Sequence, residues 1–486
     1  MGLGATSRRW LASLAPWSFV LVILAWLALD GGPRFFLDDS ITYLTTGEPW
    51  LPSDRSWAFG LAANALLRAW RGYGGIVLAQ AALLAAMIAA TRPFFADAPK
   101  AAFAATAVLL AADPLLALST RFVMSDLAAA ALLVATLLAL LRLLQGDRPL
   151  ACGALAAAAG AAAPFVRVAS LPIVEATLLL AALLSAGRIT RRQAAALALA
   201  ALGPLLGAGA LAAANRQIFG EAFLVRPAEV SLAAVFAPAL QPEDFAAAGI
   251  AVEPAAYAAL HLEQYGRRTA QIWSREHDTL HQLLRDKLGV TAQFAPEVDR
   301  AAARLVRRAL MRDPLAVAGV YLRSALIYAD PRSWRDLASA GMGLDRDLPA
   351  AFVAFSNRRT SAPIDAGLPR RPSPLVSLCL ALFPLYPLQL LLGAAAAGWL
   401  LLRQGRRPAV VVPAAALAAD LATAPLYSAE LNPRYVLGAV FVAWLLIGLA
   451  AADLAAGTQR SRPTGRPAGA QRIRAINPMS RGDATG

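Results

Sequence analysis

Residues 121–148 read RFVMSDLAAAALLVATLLALLRLLQGDR, and this stretch decides the fold. From Leu127 to Leu141 every side chain except Thr136 is apolar, with Asp126 before the run and Arg142 after it. Taken as 123–144, the segment is as long as the roughly 20 residues a helix needs to cross a hydrocarbon core. Moving outward from it, further runs of this kind fall at 14–30, 74–92, 100–118, 149–165, 167–186, 193–213, 374–402, 408–426 and 433–456. The expected fold is therefore an all-α integral membrane protein with about ten transmembrane helices. Composition agrees: of 486 residues, 58% are hydrophobic and 16% charged, more apolar surface than one soluble core can bury.

The basic residues orient these spans. With the N-terminus inside, the inner loops hold Arg8 and Arg9; Arg92 and Lys100; Arg142 and Arg148; Arg188, Arg191 and Arg192; and Arg403, Arg406 and Arg407. The short outer loops hold single arginines, Arg121, Arg167 and Arg434. An inner excess of Lys and Arg predicts N-in, C-in topology in a cytoplasmic membrane. It also absorbs much of the net charge of +14, which therefore does not point to nucleic acid. The first apolar run is long for a signal peptide and no small-x-small site follows it, so it reads as an uncleaved span. Cys152 and Cys379 form no paired framework, so no disulfide or zinc site is expected.

Four parts follow. Residues 1–213 form an N-terminal transmembrane module whose first outer loop is 31–73. Residues 214–373 form an extracytoplasmic insert, too long for a connector. Within it, 253–289 and 297–329 have helical spacing of apolar residues. Residues 374–456 return to the membrane, and 457–486 form a basic tail expected to be disordered and cytoplasmic. The run 57–70 is too short to cross and is expected to lie at the interface. Gly203-Pro204 is expected to interrupt the seventh span.

Polar residues that topology does not explain gather on the outer side. The first loop contains Asp38-Asp39-Ser40-Ile41-Thr42-Tyr43, in which Asp39 could cap a helix or act as an acid or base. Asp126 follows Val123-Met124-Ser125 at the start of the fourth span, where a carboxylate needs a polar cavity or a partner; Arg121 is one candidate. Asp113 before Pro114 is a weaker candidate. Arg167 follows Pro164-Phe165-Val166, with a tight turn expected from Pro164. Arg434-Tyr435 follows Glu430-Leu431-Asn432-Pro433. Each of these could anchor a helix end, and arginine also presents a fork suited to phosphate oxygens. Glu175 and Asp420 lie roughly 10 Å below the outer surface, where they either line a polar cavity or bond between helices. His277 and His281 share a helix face but lack a zinc motif. Two carboxylates and two arginines on one face suit acid–base chemistry on a phosphate-bearing substrate.

These motifs resemble those of the GT-C superfamily of membrane glycosyltransferases, which includes protein mannosyltransferases and lipid A aminoarabinose transferases. Asp39 and Tyr43 match the family's Asp-x-x-x-Tyr after the first span, although Ser40 stands where many members have Glu. Val123-Met124-Ser125-Asp126 resembles the second acidic element, Val166-Arg167 a later arginine, and Arg434-Tyr435 a late Arg-Tyr. The resemblance covers roughly 14–190 and 374–456; the insert 214–373 matches no named element, although large outward inserts are usual in this group.

The resemblance implies a polyprenyl-phosphate sugar donor, transfer to a hydroxyl of a lipid, glycan or protein on the outer face, and inversion. In that frame Asp39, or Asp38, is the base and Asp126 its catalytic companion. Arg167 and Arg434 receive the lipid phosphate, and Tyr43 and Tyr435 complete the substrate site. No metal or other cofactor is demanded. A transporter or lipid flippase, or a non-catalytic scaffold, are the alternatives; inverted repeats and mid-membrane helix breaks would mark a transporter.

Overall fold

The computed structural model describes residues 17–47, 51–273, 278–344, 346–428 and 430–460. Among them there is no strand, only an isolated parallel bridge between Arg34 and Phe122. Helices occupy all ten expected spans: α1 (Ser18–Leu29), α4 (Gly74–Ala90), α5 (Lys100–Ala112) with α6 (Pro114–Ser119), α7 (Asp126–Gln145), α8 (Pro149–Val166), α9 (Ser170–Ser185), α10 (Arg191–Phe219), α13 (Pro374–Leu382) with α14 (Tyr386–Gln404), α15 (Pro408–Tyr427) and α16 (Leu437–Arg460). The first outer loop adds α2 (Leu37–Thr45) and α3 (Ala58–Trp70), and the insert includes α11 (Pro296–Arg312) and α12 (Pro314–Ala329). Among the described residues, seven helical segments are long and apolar enough to cross a membrane. The spans expected at 14–30, 100–118 and 167–186 are shorter apolar helices. Leucines such as Leu21, Leu205, Leu206, Leu388 and Leu402 face outward, as lipid contact requires. The chain is a multi-pass helical membrane protein.

Five expectations about helix continuity need correction. The span 100–118 is broken at Asp113, because Pro114 has no N–H to continue the ladder and Asp113 caps a new helix instead. Its Oδ1 accepts from the Leu115 and Leu116 N–H groups at 3.0 Å and from the Tyr386 hydroxyl at 3.0 Å. Its Oδ2 accepts from Trp444 Nε1 at 2.8 Å, so Asp113 is a structural knot. Gly203-Pro204 does not interrupt a span, since α10 runs through it. A Cβ on Gly160 would lie 2.7 Å from the Pro204 ring, so the ring lies in close contact with that glycine. Helix α8 likewise runs through Pro164, which moves the turn to Arg167–Ala169. Within the insert, 253–289 breaks into short helices, and Asp313-Pro314 splits 297–329 into α11 and α12.

The insert has a core of its own that includes Val230, Phe245, Leu284, Leu305 and Val320. Its last α-helix, Ala350–Arg359, packs instead on the first outer loop, where Phe352 joins Phe35, Leu44, Leu67 and Tyr73. The Tyr73 hydroxyl lies 2.6 Å from Ser356 Oγ, and Arg359 donates to the Leu44 carbonyl at 2.9 Å. Insert and first loop thus close together over one end of the bundle. The tail at 461–486 lies outside the described residues.

Candidate active site

Two short segments are stitched together first. The Arg34 N–H donates to the Arg121 carbonyl at 2.7 Å, and the Val123 N–H donates to the Arg34 carbonyl at 3.0 Å. Ser40 Oγ accepts from the Phe36 N–H at 2.9 Å and donates to the Val123 carbonyl at 3.1 Å. The residue that departs from the Asp-Glu pattern is therefore a buried tie. Tyr43, one turn after Asp39, places its hydroxyl 2.7 Å from Ser125 Oγ. These bonds set Asp39 on α2 beside Asp126 at the start of α7.

A third segment joins through Ser56. Its Oγ donates to the Pro164 carbonyl at 2.7 Å and accepts from the Val168 N–H at 3.1 Å. That fixes Arg55 beside the turn carrying Arg167. The fourth segment is the 3-10 turn Pro433–Val436 ahead of α16. There Asn432 Oδ1 accepts from the Arg434 N–H and Nε, both at 3.2 Å, which aims the guanidinium.

What results is an Arg–Asp–Arg triad and a separate Arg–Asp pair. Arg434 Nη1 lies 3.1 Å from Asp39 Oδ2, and Arg55 pairs with Asp39 Oδ1. Arg167 pairs with Asp126. The Arg434 guanidinium carbon sits 3.7 Å from the centre of the Phe36 ring. That of Arg167 sits 4.8 Å from the Tyr435 ring, which stacks on Tyr427 at 5.9 Å. Aromatic faces next to a guanidinium fix its plane and exclude water from one side. The Arg434 and Asp126 side chains are 6% and 5% exposed, so these charges interact with little solvent screening.

A cavity of about 40 Å³ opens between α7, α9, α15 and α16. Asp126, Arg167, Arg434, Tyr435, Tyr427 and Asp420 give it polar groups, while Ala130, Leu133 and Ile173 give it apolar ones. A smaller cavity adjoins it and is also lined by Asp126 and Arg434.

The structure brings Asp39, Asp126, Arg167, Arg434 and Tyr435 together. It corrects other expectations. Asp39 is not a helix cap: Phe36 precedes α2 and no side chain caps it, so the carboxylate is left to the two arginines. Asp126 pairs with Arg167, not Arg121, because Arg121 turns to the Asp30 carbonyl and to Thr120. Tyr43, expected at the substrate, is 4% exposed and committed to Ser125; burial raises its phenol above the ordinary value. It places the two acids through Ser125; neither Tyr43 nor Asp39 lines the two cavities, which Asp126 and Arg434 reach directly.

Asp420 lines the cavity, whereas Glu175 does not. The Asp38 side chain and His277 lie outside the described residues. His281 is buried with Nε2 2.7 Å from the Gln293 carbonyl. Arg55 and Tyr427 were missed. Arg55 shares the first outer loop with Asp39, but no spacing singles it out, and Tyr427 reads as an ordinary helix end.

No protein-family model matches the chain, and no curated protein matches it. Among solved structures it is similar to ArnT from Cupriavidus metallidurans in the apo state, with 17% identity and a TM-score of 0.35, covering 94% of this chain and 80% of that one. It is also similar to ArnT from Cupriavidus metallidurans bound to undecaprenyl phosphate, with 15% identity, a TM-score of 0.36 and the same coverage.

Proposed function

We infer that the chain is a GT-C-type glycosyltransferase that moves a sugar from a polyprenyl-phosphate-linked donor to an acceptor hydroxyl. The observation that carries this reading is the alternation of Arg55, Asp39 and Arg434 beside Asp126 and Arg167, at one end of an apolar bundle. A lipid phosphate brings an anion and an apolar tail to one place, and this end of the bundle answers both.

Each guanidinium in the cluster is held by a carboxylate, so the donor phosphate enters by exchange. Its oxygens replace Asp39 on Arg434, while Arg55 keeps the carboxylate in position. Asp39 then accepts the acceptor's proton as the hydroxyl oxygen bonds to the anomeric carbon. The bond from that carbon to the phosphate oxygen breaks, and its electron pair leaves with the lipid phosphate. Arg434 and Arg167 stabilise the departing anion, an effect worth about 3–4 kcal/mol for one well-placed group. Attack opposite the leaving group inverts the anomeric carbon. Asp126 orients the acceptor or shares the proton, and Tyr435 holds the plane of Arg167. No step requires a metal or other cofactor. In this reading the acceptor is a lipid, glycan or protein on the outer face of a cytoplasmic membrane. The chain runs N-in and C-in, with catalytic residues in 1–213 and 374–456 and the insert 214–373 above them.

The test is binding of undecaprenyl phosphate to the purified chain in nanodiscs. Arg434→Ala loses at least about tenfold in affinity, and Arg434→Lys falls between it and the wild type, keeping charge without the fork. Near-wild-type binding by both variants contradicts the reading.

A further inference from the structure

We propose that Asp420 and Gly438 form a subsite for one hydroxyl-bearing arm of the transferred sugar, so that donors carrying such an arm are preferred. This rests on the transferase reading above. Asp420 lies two turns in from the end of α15 and is 2% exposed. It lines the same cavity as Asp126, Arg167 and Arg434. Its Oδ1 has no hydrogen-bond partner among the described residues. A buried carboxylate oxygen with nothing donated to it is costly, and an acid at this depth is kept where a polar ligand or path meets it.

Gly438 makes the room. A Cβ there would lie 2.5 Å from Asp420 Oδ2 and 3.2 Å from Leu133 Cδ2. Any side chain at 438 would displace the carboxylate or fill the space before it.

Size and chemistry define the occupant. One water needs roughly 10–15 Å³ on this measure of volume. The cavity's 40 Å³ therefore holds a few waters or an arm of two or three heavy atoms, not a sugar ring. Ala129, Ala130, Leu133 and Val174 are apolar neighbours for the carbon of such an arm. Asp420 is then an acceptor for its hydroxyl. Gly438 lies four residues beyond Arg434, about 6–8 Å along the axis from the 3-10 turn into α16, comparable to the width of a sugar ring. A sugar whose anomeric phosphate meets Arg434 can therefore reach Asp420 with a hydroxymethyl substituent.

The experiment measures equilibrium binding to the full chain in nanodiscs. The ligands are the undecaprenyl-phosphate-linked hexoses glucose, mannose and galactose, the pentose xylose, which lacks the hydroxymethyl arm, and undecaprenyl phosphate alone. The wild type should bind at least one hexosyl lipid about tenfold or more tighter than the xylosyl lipid. Asp420→Asn should cut that preference to under about threefold while still binding the bare lipid phosphate. Gly438→Ala should do the same by filling the subsite, and it decides the matter if Asp420→Asn does not fold. Lipid-phosphate binding without any hexose preference in the wild type overturns the subsite and leaves the donor reading standing. A preference that survives both substitutions overturns it too. If the wild type binds none of the lipid phosphates, the transferase reading itself fails, and the subsite with it.

Discussion

Arg434 is the residue on which the site turns. Asn432 aims it, Phe36 lies against its plane, and Asp39 holds it at 3.1 Å. Tyr43, by contrast, works on the protein. Tyr43→Phe removes one buried hydrogen bond to Ser125, which costs about 1 kcal/mol of stability. It should leave undecaprenyl phosphate affinity within about twofold, whereas a tyrosine in contact with the donor would lose more. Thermal unfolding and lipid binding measured on the same preparation separate the two roles. At this scale the sequence was legible where a polar residue stood alone beside an apolar run. Asp126, Arg167 and Arg434 were visible because nothing in a membrane helix end requires them. Arg55 was not, because a loop arginine is unremarkable until the Ser56 bonds to Pro164 and Val168 bring it to Asp39.

At the scale of elements, helix existence was readable and helix breaks were not. Apolar length announces a span, but a proline does not announce its consequence. Pro204 sits against Gly160 inside a continuous helix, while Pro114 starts a new one because Asp113 caps it. The difference lies in partners far away in sequence, Tyr386 and Trp444. Asp113→Ala should therefore cost about 2–4 kcal/mol, losing a cap and stranding two buried donors, and differential scanning fluorimetry reads the loss.

The insert carries its own signature in Asp299, near the start of α11. Burial raises this carboxyl to about 6, against the hydrogen bond it accepts from the Val230 N–H at 3.2 Å. A carboxyl raised on folding stabilises the fold when protonated. That contribution is complete below the unfolded value near 4 and is lost as pH rises through 6. The shift corresponds to roughly 3 kcal/mol at most. The wild type should thus lose stability between pH 5 and pH 8 relative to Asp299→Asn. Parallel stability curves for the two proteins over that range would contradict this.

For the whole molecule, the arrangement has one purpose: it draws four segments, distant in the chain, to one end of a helical bundle. The first loop contributes Asp39, and Arg55 besides; the start of α7, the α8–α9 turn and the turn before α16 contribute Asp126, Arg167 and Arg434, and the end of the insert packs on the first loop. That Asp39, Asp126, Arg167 and Arg434 share one end was anticipated from topology, because each followed or preceded a span on the same expected side; Arg55 was not. Their pairing, and the cavity beneath them, depended on contacts that no local spacing encodes.

The central claim is that this cluster transfers a sugar with Asp39 as the base. The most direct measurement compares cell-envelope glycans by mass spectrometry in a strain lacking the chain. One complemented strain carries the wild type and the other Asp39→Asn, at matched membrane levels. Loss of one defined sugar in the deletion and in Asp39→Asn, restored by the wild type, is the predicted result, because the amide keeps the shape but cannot take the proton. Full restoration by Asp39→Asn, or glycans unchanged by the deletion itself, would contradict the account.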